Sequence, residues 1–358
     1  MESFYHIIIA GGSGSRFWPK SKKNKPKQLL KITNDKTMIR LTYERIANIA
    51  NPKNILVIAS KELCQHIQIE TPEIPKENFI IEPSGKNTAP AIGLAAIHIL
   101  KRDKNALMGI YPADHLISEN DKFYNTITKA EKIISNLSCL VTIGIKPTYS
   151  ATGYGYIHFD KSEKQNIQNS YKVINFTEKP TKQNADKFIT NGNYLWNAGI
   201  FAWKAKTLLS EMENHMPDLH KNLLSIYDAI GNNNYEQVLN SKWHEIISKS
   251  IDYGILEKSN NIYTIAADFK WNDLGSWKSL FDILPKNKDK NHYEGDVISL
   301  QSNNNLVISP NRLTAVIGIK DLTIINLDDA TLIMPHEKAE EVKNIVEMLK
   351  SLNNNKYL

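Results

Sequence analysis

Residues 7–28 read IIIAGGSGSRFWPKSKKNKPKQ. An apolar, β-rich run is followed by three glycines in four positions, then by one arginine and five lysines. Glycine lets backbone N–H groups converge on an anion without a Cβ in the way. Arg16 and Lys27 add positive charge beside those groups. A strand that ends in a glycine-rich, basic loop therefore predicts a site for a phosphorylated small molecule.

Two common phosphate-binding motifs do not account for this loop. A dinucleotide fingerprint that starts at Gly12 finds Gly14 in place but Phe17 where a third glycine belongs. A P-loop fails at SGKNT (84–88), because Asn87 follows the lysine and Ile80 stands at the upstream glycine position. Both dehydrogenase and P-loop ATPase interpretations are therefore disfavoured, and a plain strand-to-helix turn stays open as the structural alternative.

Composition excludes several classes of protein. The 358 residues are 41% hydrophobic, which is ample for a buried core, and two cysteines form no disulfide framework or metal spacing. The longest apolar stretch, AIGLAAIHIL (91–100), is about half a membrane span, and the start MESFYH lacks the basic region of a signal peptide. The net charge of +6 is spread along the chain without a nucleic-acid motif. These features predict a cytoplasmic protein that binds neither membrane nor nucleic acid.

Short apolar runs alternate with helix-period segments through the first half of the chain. This alternation predicts βαβ units, hence an α/β fold with a Rossmann-like, mixed but mainly parallel sheet. Strands are expected at 6–10, 54–59, 79–81, 106–111, 140–145, 171–177 and 199–203, and helices at 37–50, 88–102 and 121–135. Residues 1–285 are predicted to form this catalytic domain.

The pattern of apolar and polar residues changes after PKNKDKN (285–291), so residues 286–358 are predicted to form a second segment. VISL, NLVIS, LTAVIGI, LTIINL and TLIMP recur every eight to ten residues, as expected for a small β-roll or β-helix. A terminal helix follows, with apolar residues on one face: Val342, Ile345, Val346, Leu349 and Leu352. That face is expected to pack on its own strands, and a homodimer seam is the alternative.

The loop pattern GGSGSRFWP…PKQ resembles the signature of the sugar-1-phosphate nucleotidylyltransferases. Its tryptophan form is similar to the mannose-1-phosphate guanylyltransferase branch. The resemblance covers about 1–280 strongly and is carried by further segments in the same order: EPSGKNTAPAI (82–92), YPADHLI (111–117), TGYGYI (152–157), FTEKP (176–180), NAGIF (197–201) and WNDLGSW (271–277). Lys86 stands where that branch usually has arginine.

Several candidate residues follow predicted strands, where open α/β sheets gather their ligands. Asp114 and Asp273 together make a plausible pair for Mg²⁺, which prefers one or two carboxylates plus substrate phosphates. Alone, each would be an ordinary cap or turn residue. The resemblance implies the same metal role for both, and it implies nucleotide contacts for these residues: Gly11, Gly12, Ser13, Gly14, Ser15, Glu82, Asn87 and Thr88. Capping of the following helix is an alternative role for the last three.

The resemblance also implies a sugar site and a reaction. Glu178 would hold sugar hydroxyls, Lys179 the sugar phosphate, and Gly155 and Asn197 further parts of the sugar. Arg16 and Lys27 would act on the phosphates during transfer of GMP from GTP to mannose 1-phosphate, with pyrophosphate leaving.

Other activities stay open at this stage. One is a thymidylyl- or uridylyltransferase acting on glucose 1-phosphate, and another is a non-catalytic, sugar-nucleotide-binding paralogue that regulates a partner. The length leaves no room for the isomerase domain of longer bifunctional relatives, so a monofunctional enzyme is expected.

Overall fold

The protein is described by a computed structural model, which covers residues 3–12, 14–33, 35–164, 167 and 169–358. The chain divides into two compact units, and each is discontinuous in sequence. The first unit comprises Met1–Gly11, Arg40–Ala113 and Ile117–Trp271. The second comprises Gly12–Ile39, Asp114–Leu116 and Asn272–Leu358. The domain boundary expected at 285/286 stays a prediction.

Fifteen strands lie in the described residues. They are β1 (Phe4–Ile9), β2 (Ile55–Ser60), β3 (Phe79–Glu82), β4 (Leu107–Pro112), β5 (Leu116–Ser118), β6 (Leu140–Ile145), β7 (Tyr156–Lys164), β8 (Ser170–Thr177), β9 (Tyr194–Lys204), β10 (Ile262–Ala267), β11 (Lys270–Asn272), β12 (His292–Leu300), β13 (Leu306–Ile317), β14 (Leu322–Asn326) and β15 (Thr331–Pro335). The short strands β5 and β11 lie where the chain passes from one unit to the other.

Ten α-helices lie in the same residues. They are α1 (Met38–Ala47), α2 (Lys61–Glu70), α3 (Thr88–Arg102), α4 (Asn120–Asn136), α5 (Lys182–Asn191), α6 (Ala205–His215), α7 (Pro217–Ala229), α8 (Tyr235–Glu245), α9 (Trp277–Ile283) and α10 (Val342–Ser351). Short 3₁₀ and π turns supplement these helices. They include Ser15–Phe17, Lys27–Leu29, Asp252–Leu256 and His336–Glu341. No helix of the described chain is both long and apolar enough to cross a membrane.

The first unit is built on a nine-stranded sheet in the order β3-β2-β1-β4-β9-β6-β10-β8-β7. The pairs β3–β2, β2–β1, β1–β4 and β6–β10 are parallel, whereas β8 and β9 run antiparallel to their neighbours. The predicted α/β class with a mixed, mainly parallel sheet is therefore confirmed. Because parallel strands end at one edge, β1 and β3 bring Gly11 and Glu82 to the same edge of the sheet.

Helix α3 shows why its sequence forms a buried helix. The segment TAPAIGLAAIHILKR has small residues through its centre, and ten of its residues are buried. A Cβ on Gly93 would lie 2.5 Å from Leu223 Cδ1 and 3.2 Å from the Met212 sulfur, so α6 and α7 pack closely against this helix. This close packing holds the helix whose first residue, Thr88, and N-cap, Asn87, are predicted nucleotide contacts.

The second unit contains the four-stranded sheet β12-β13-β14-β15. The first three strands are parallel and β15 closes the sheet antiparallel, so the predicted β-helix-like segment is confirmed. NLVIS and LTAVIGI, expected as two strands, form the single strand β13, whose pairing with β12 shifts register between Gly295 and Val297. Pro310 lacks an N–H group and lies between Ser309 and Thr314, where the pairing with β12 is interrupted, so it does not end the strand.

Helix α10 follows β15, and its surroundings differ from the expectation. Val342 and Val346 are buried, as the apolar face predicts, but the helix mainly contacts the 3₁₀ turns Ser15–Phe17 and His336–Glu341 instead of the strands. Leu352, at the end of the same face, is 65% exposed. The helix therefore buttresses the glycine-rich loop of its own unit.

Candidate active site

The glycine-rich loop is organised around the PKQ segment of the same unit. Gly14 has φ +60°, and a Cβ there would lie 2.5 Å from Lys27 Cβ, so only glycine fits. Its carbonyl accepts hydrogen bonds from Ser21 Oγ at 2.6 Å and from the Phe17 N–H at 2.8 Å. Gln28 Nε2 donates to the Gly12 carbonyl at 3.4 Å. Ser13, a predicted nucleotide contact, lies outside the described residues.

Lys27 joins the two predicted metal-binding residues. Its side chain is 7% exposed, and Nζ lies 2.8 Å from Asp114 Oδ2. The same ammonium donates to the Asp273 backbone carbonyl at 2.6 Å. The second unit thus brings together three residues that are distant in sequence, and one buried cation holds them.

The two aspartates differ in the charges and hydrogen bonds that surround their carboxylates. Burial acts to raise the pKa of Asp114, but the charges of Lys27 and His115 and the hydrogen bond from Lys27 outweigh it, so the pKa is lowered. Asp273 Oδ1 accepts the Gly275 N–H at 3.0 Å, and a Cβ on Gly275 would lie 2.9 Å from Asp273 Oδ2. Glycine at 275 therefore lets the loop fold closely around a carboxylate.

This arrangement fits a magnesium ion. Among the described residues no cluster of three or more His, Cys, Asp or Glu side chains forms a complete protein cage. Mg²⁺ is usually bound by one or two carboxylates, with phosphates and water completing the octahedron. Asp114 and Asp273 have hard oxygen donors of that kind, and Lys27 contacts the carboxylate of the first and the backbone carbonyl of the second. Two protein carboxylates would hold the ion only together with a phosphorylated substrate.

Arg16 is paired within its own unit. Its Nε lies 2.6 Å from Glu340 Oε2 in the 3₁₀ turn before α10, and both side chains are partly exposed. The adjacent Trp18 donates from Nε1 to the Tyr357 carbonyl at 2.8 Å and accepts from Trp277 Nε1 at its own carbonyl at 3.0 Å. The C-terminal segment thus secures the glycine-rich loop, and Trp277 acts as a packing residue.

In the first unit, the four predicted sugar contacts lie together. The Asn197 N–H donates to the Gly155 carbonyl at 2.8 Å, which aligns β9 with the loop before β7. A Cβ on Gly155 would lie 2.6 Å from Glu178 Oε2, so the carboxylate lies directly over this glycine. Lys179 forms an ion pair with Glu178, whose side chain is only 8% exposed. The cluster offers carboxylate, amide and ammonium groups to a ligand.

Two further acids complete the cluster, and the motif analysis missed both. Asp252 Oδ1 accepts from Asn197 Nδ2 at 3.0 Å, and Glu257 Oε1 accepts the Glu178 N–H at 2.9 Å. Both belong to IDYGILEKS (251–259), which lies outside the motifs quoted above. An acid at each end of a short apolar run was the available signal, although surface turns show the same pattern.

The segment EPSGKNTAP (82–90) is fixed to the end of α8 and to the residue that follows it, in the same unit. Trp243 Nε1 donates to the Ser84 carbonyl at 2.8 Å, and Lys86 Nζ donates to the Ile246 carbonyl at 2.7 Å. Lys86 therefore has a local structural use at a position where the resemblance led us to expect arginine.

The three predicted nucleotide contacts in this segment have different environments. Asn87 is the N-cap of α3 and its Oδ1 accepts the Thr88 N–H at 2.9 Å. Thr88 Oγ1 accepts the Ile251 N–H at 2.8 Å. Burial raises the pKa of Glu82 to about 7, and within the described chain no cation is assigned to its carboxylate. The capping alternative therefore suits Asn87, whereas Glu82 has the surroundings of an acceptor for a neutral donor.

Comparisons with known proteins identify the family of the chain. The nucleotidyl transferase family model matches residues 5–290, and the MannoseP isomerase/GMP-like β-helix domain model matches residues 295–349. Mannose-1-phosphate guanylyltransferase 2 of Escherichia coli O157:H7 is 35% identical over 98% of this chain and 74% of its own length. Mannose-1-phosphate guanylyltransferase of Klebsiella pneumoniae is 33% identical over 98% of this chain and 75% of its own length.

A solved structure gives the same result at the level of the fold. This structure, named mannose-1-phosphate geranyltransferase from Thermus thermophilus, superposes with a TM-score of 0.86 at 26% identity. The match covers 97% of this chain and 99% of that one. The chain therefore belongs to the nucleotidyl transferase family, among relatives named mannose-1-phosphate guanylyltransferases.

Proposed function

We propose that this chain transfers GMP from GTP to α-D-mannose 1-phosphate and releases pyrophosphate. A phosphate oxygen of the sugar phosphate attacks the α-phosphorus of GTP, and the bond from that phosphorus to the pyrophosphate oxygen breaks. The observation that carries the proposal is the Lys27 ammonium bonded to Asp114 and to the Asp273 backbone, beside a glycine loop. The names of the relatives supply the base and the sugar.

The residues present suit a reaction driven by charge and alignment. A phosphate monoester has a second pKa of about 6, so the nucleophile is already largely ionised at pH 7 and needs no general base. The barrier lies in repulsion between two anions and in charge that accumulates on pyrophosphate. Arg16 and Lys27 are cations that can bind phosphate oxygens and oppose that charge.

We include Mg²⁺ as the metal in this proposal. Bound by Asp114 and Asp273, it would supply further positive charge to the phosphates. Lys27 would then keep Asp114 ionised and hold the Asp273 loop in place. Arg16 would exchange Glu340 for a phosphate oxygen, a modest cost because exposed ion pairs stabilise proteins by about 0–1 kcal/mol.

The first unit supplies groups for substrate choice. Guanine has N1–H and N2–H donors, which a carboxylate such as Glu82 can accept, and a base without them leaves the acceptor buried and unpaired. Glu178, Lys179 and Asn197 would bind the sugar phosphate. Glucose and mannose differ only in the orientation of the C2 hydroxyl, a difference worth about 1–3 kcal/mol.

A grid of pyrophosphate-release assays tests this proposal. The wild-type protein is assayed with GTP, ATP, UTP and dTTP against mannose 1-phosphate and glucose 1-phosphate, with and without magnesium. We expect GTP with mannose 1-phosphate to have the highest kcat/KM, a wide margin over other bases and a narrower margin over glucose. A preference for dTTP or UTP would overturn the guanylyl assignment, and no pyrophosphate release in any combination would favour the non-catalytic alternative.

We also propose a cytoplasmic location. Cys64 and Cys139 are both buried and free, and burial raises the pKa of each thiol, to about 12 and about 11. Neither thiol has the low pKa or the exposure of a reactive cysteine. Labelling of fractionated cells with an antibody to this chain would check the location.

A further inference from the structure

Asp252 lies in a short, well-anchored turn of the first unit. The turn Asp252–Leu256 is π-helical. Its entry is fixed by the Ile251 N–H, which donates to Thr88 Oγ1 at 2.8 Å, and by the Gly254 N–H, which donates to the Ser250 carbonyl at 2.9 Å. The backbone that carries Asp252 is therefore held on both sides.

The neighbouring amide of Asn197 has a defined orientation. Its Oδ1 accepts the Gly199 N–H at 3.1 Å and the Thr142 hydroxyl at 3.0 Å. A backbone N–H can only donate, so the atom that faces Gly199 must be the oxygen. The nitrogen therefore points to Asp252, 3.0 Å from Oδ1, and can only donate to it. Asp252 therefore fixes the amide nitrogen of Asn197, whereas Gly199 and Thr142 contact only its oxygen.

Asp252 also forms part of a pair of acids with Glu178. Burial, and then the negative charge of Glu178, raises the pKa of Asp252 to about 6, although Lys179 and a hydrogen bond from Ser250 oppose the shift. Two carboxylates of this kind repel each other and accept hydrogen bonds without donating any when ionised. Both carboxylates can accept hydrogen bonds from neutral O–H donors of a ligand, in addition to the Lys179 ammonium that is already paired with Glu178.

We propose that Asp252 is a specificity-determining residue, which accepts a hydrogen bond from a hydroxyl of the sugar phosphate while it holds the Asn197 amide in position. The proposal rests on the function proposed above and assigns a role that the sugar-site motifs do not contain. Glu178 and Asp252 would then read different hydroxyls of one pyranose ring. The reacting phosphates are not contacted by Asp252 in this proposal, so its effect lies in substrate choice.

A cycle that combines protein variants with substrate analogues tests this role. Wild type and Asp252→Asn are assayed with GTP and mannose 1-phosphate, and with its 2-, 3-, 4- and 6-deoxy derivatives. Asn keeps the shape of Asp but loses the charged acceptor. Asp228→Asn is the matched control, because Asp228 is exposed on α7 of the same unit.

We expect the effect of Asp252→Asn and the effect of removing one particular sugar hydroxyl to be non-additive. For at least one deoxy sugar, kcat/KM of wild type should fall about 10- to 100-fold, as for a hydrogen bond to a charged group, whereas Asp252→Asn should lose less than about threefold. The Asp228→Asn protein should behave as wild type. A purely structural role would lower activity with every sugar by one factor and leave the ratios unchanged, and that result would overturn the proposal.

The folding of the variants and the function proposed above are tested separately. Thermal midpoints are recorded for each protein, and if Asp252→Asn melts below the assay temperature the cycle is run with Asp252→Ser, where the same two results decide. If turnover is too slow, Kd values for the sugar phosphates replace kcat/KM. A wild-type protein that does not use mannose 1-phosphate overturns the function proposed above. An active wild type with additive losses overturns only the role of Asp252.

Discussion

The candidate-site carboxylates of the two units have opposite electrostatic surroundings. In the second unit the charge of Lys27 lowers the pKa of Asp114, against the effect of burial. In the first unit burial raises the pKa of Glu82 to about 7 and, with Glu178, that of Asp252 to about 6. An acid that is already ionised beside a cation suits phosphates and a metal ion. An acid whose desolvation outweighs the charges around it suits neutral N–H and O–H donors.

We infer from this contrast that different residues of one chain serve phosphate chemistry and substrate choice. We propose that Arg16, Lys27 and the two aspartates of the second unit serve the reacting phosphates, and that residues of the first unit serve the choice of base and sugar, with Lys179 binding the sugar phosphate.

The largest effect is expected at the proposed metal-binding residues. Asp114→Asn or Asp273→Asn should lower kcat about 1000-fold or more, because each removes a charge without changing volume at a site where a metal would contribute several kcal/mol. Rates are measured over a magnesium titration and folding by circular dichroism. Near-normal turnover of either folded variant at saturating magnesium would remove that residue from the metal site.

Arg16→Ala should lower kcat/KM at least about 100-fold with little change in Tm. The arginine is proposed to bind phosphate, whereas its partly exposed pair with Glu340 contributes little stability. Glu340→Ala is the matched control, since it breaks the same pair and leaves the arginine in place. A collapse of Tm for Arg16→Ala would instead make the loop arginine structural.

Gly155→Ala should raise KM for the sugar phosphate about tenfold and leave KM for GTP unchanged. The new Cβ would lie 2.6 Å from Glu178 Oε2 and would displace the carboxylate that we assign to the sugar. Gly153→Ala is the control, because a Cβ there has no atom within 4 Å among the described residues. Equal KM values for the two variants would remove Glu178 from the sugar site.

The smallest effect concerns pH. Glu82 must be ionised to accept guanine donors, and its pKa is about 7 because of burial. KM for GTP should therefore be level above pH 7 and rise toward tenfold per pH unit as pH falls below it. GTP also titrates in this range, so the comparison is with Glu82→Gln, which should have a raised KM without that added dependence. Parallel profiles for the two proteins would argue against guanine recognition by Glu82.

The sequence was sufficient for the parts of the fold that repeat a local pattern. The strands that carry Gly11 and Glu82 were predicted from apolar runs, and α3 from its helical periodicity. The merging of two predicted strands into β13 was not predictable in the same way, because a proline between apolar runs marks an end as often as a bulge. Tertiary pairing with β12 and β14 decided it.

The candidate site shows the same limit. The motifs gave the sugar cluster of Gly155, Glu178 and Asn197, which the structure brings together. They did not give Asp252, because its contact with Asn197 joins residues 55 positions apart. The glycine-rich loop is a further case, since Glu340, the partner of its Arg16, lies far along the chain. Contacts of this kind depend on tertiary packing and leave no local pattern.

The most direct test of the division of tasks is one substrate grid measured on three proteins. Wild type, Arg16→Ala and Glu82→Gln are assayed for pyrophosphate release with GTP and UTP against mannose 1-phosphate. The account predicts that Arg16→Ala lowers kcat/KM for both nucleotides by the same factor and keeps the GTP preference. Glu82→Gln should reduce that preference while UTP turnover is retained. A changed nucleotide preference in Arg16→Ala, with an unchanged one in Glu82→Gln, would contradict it.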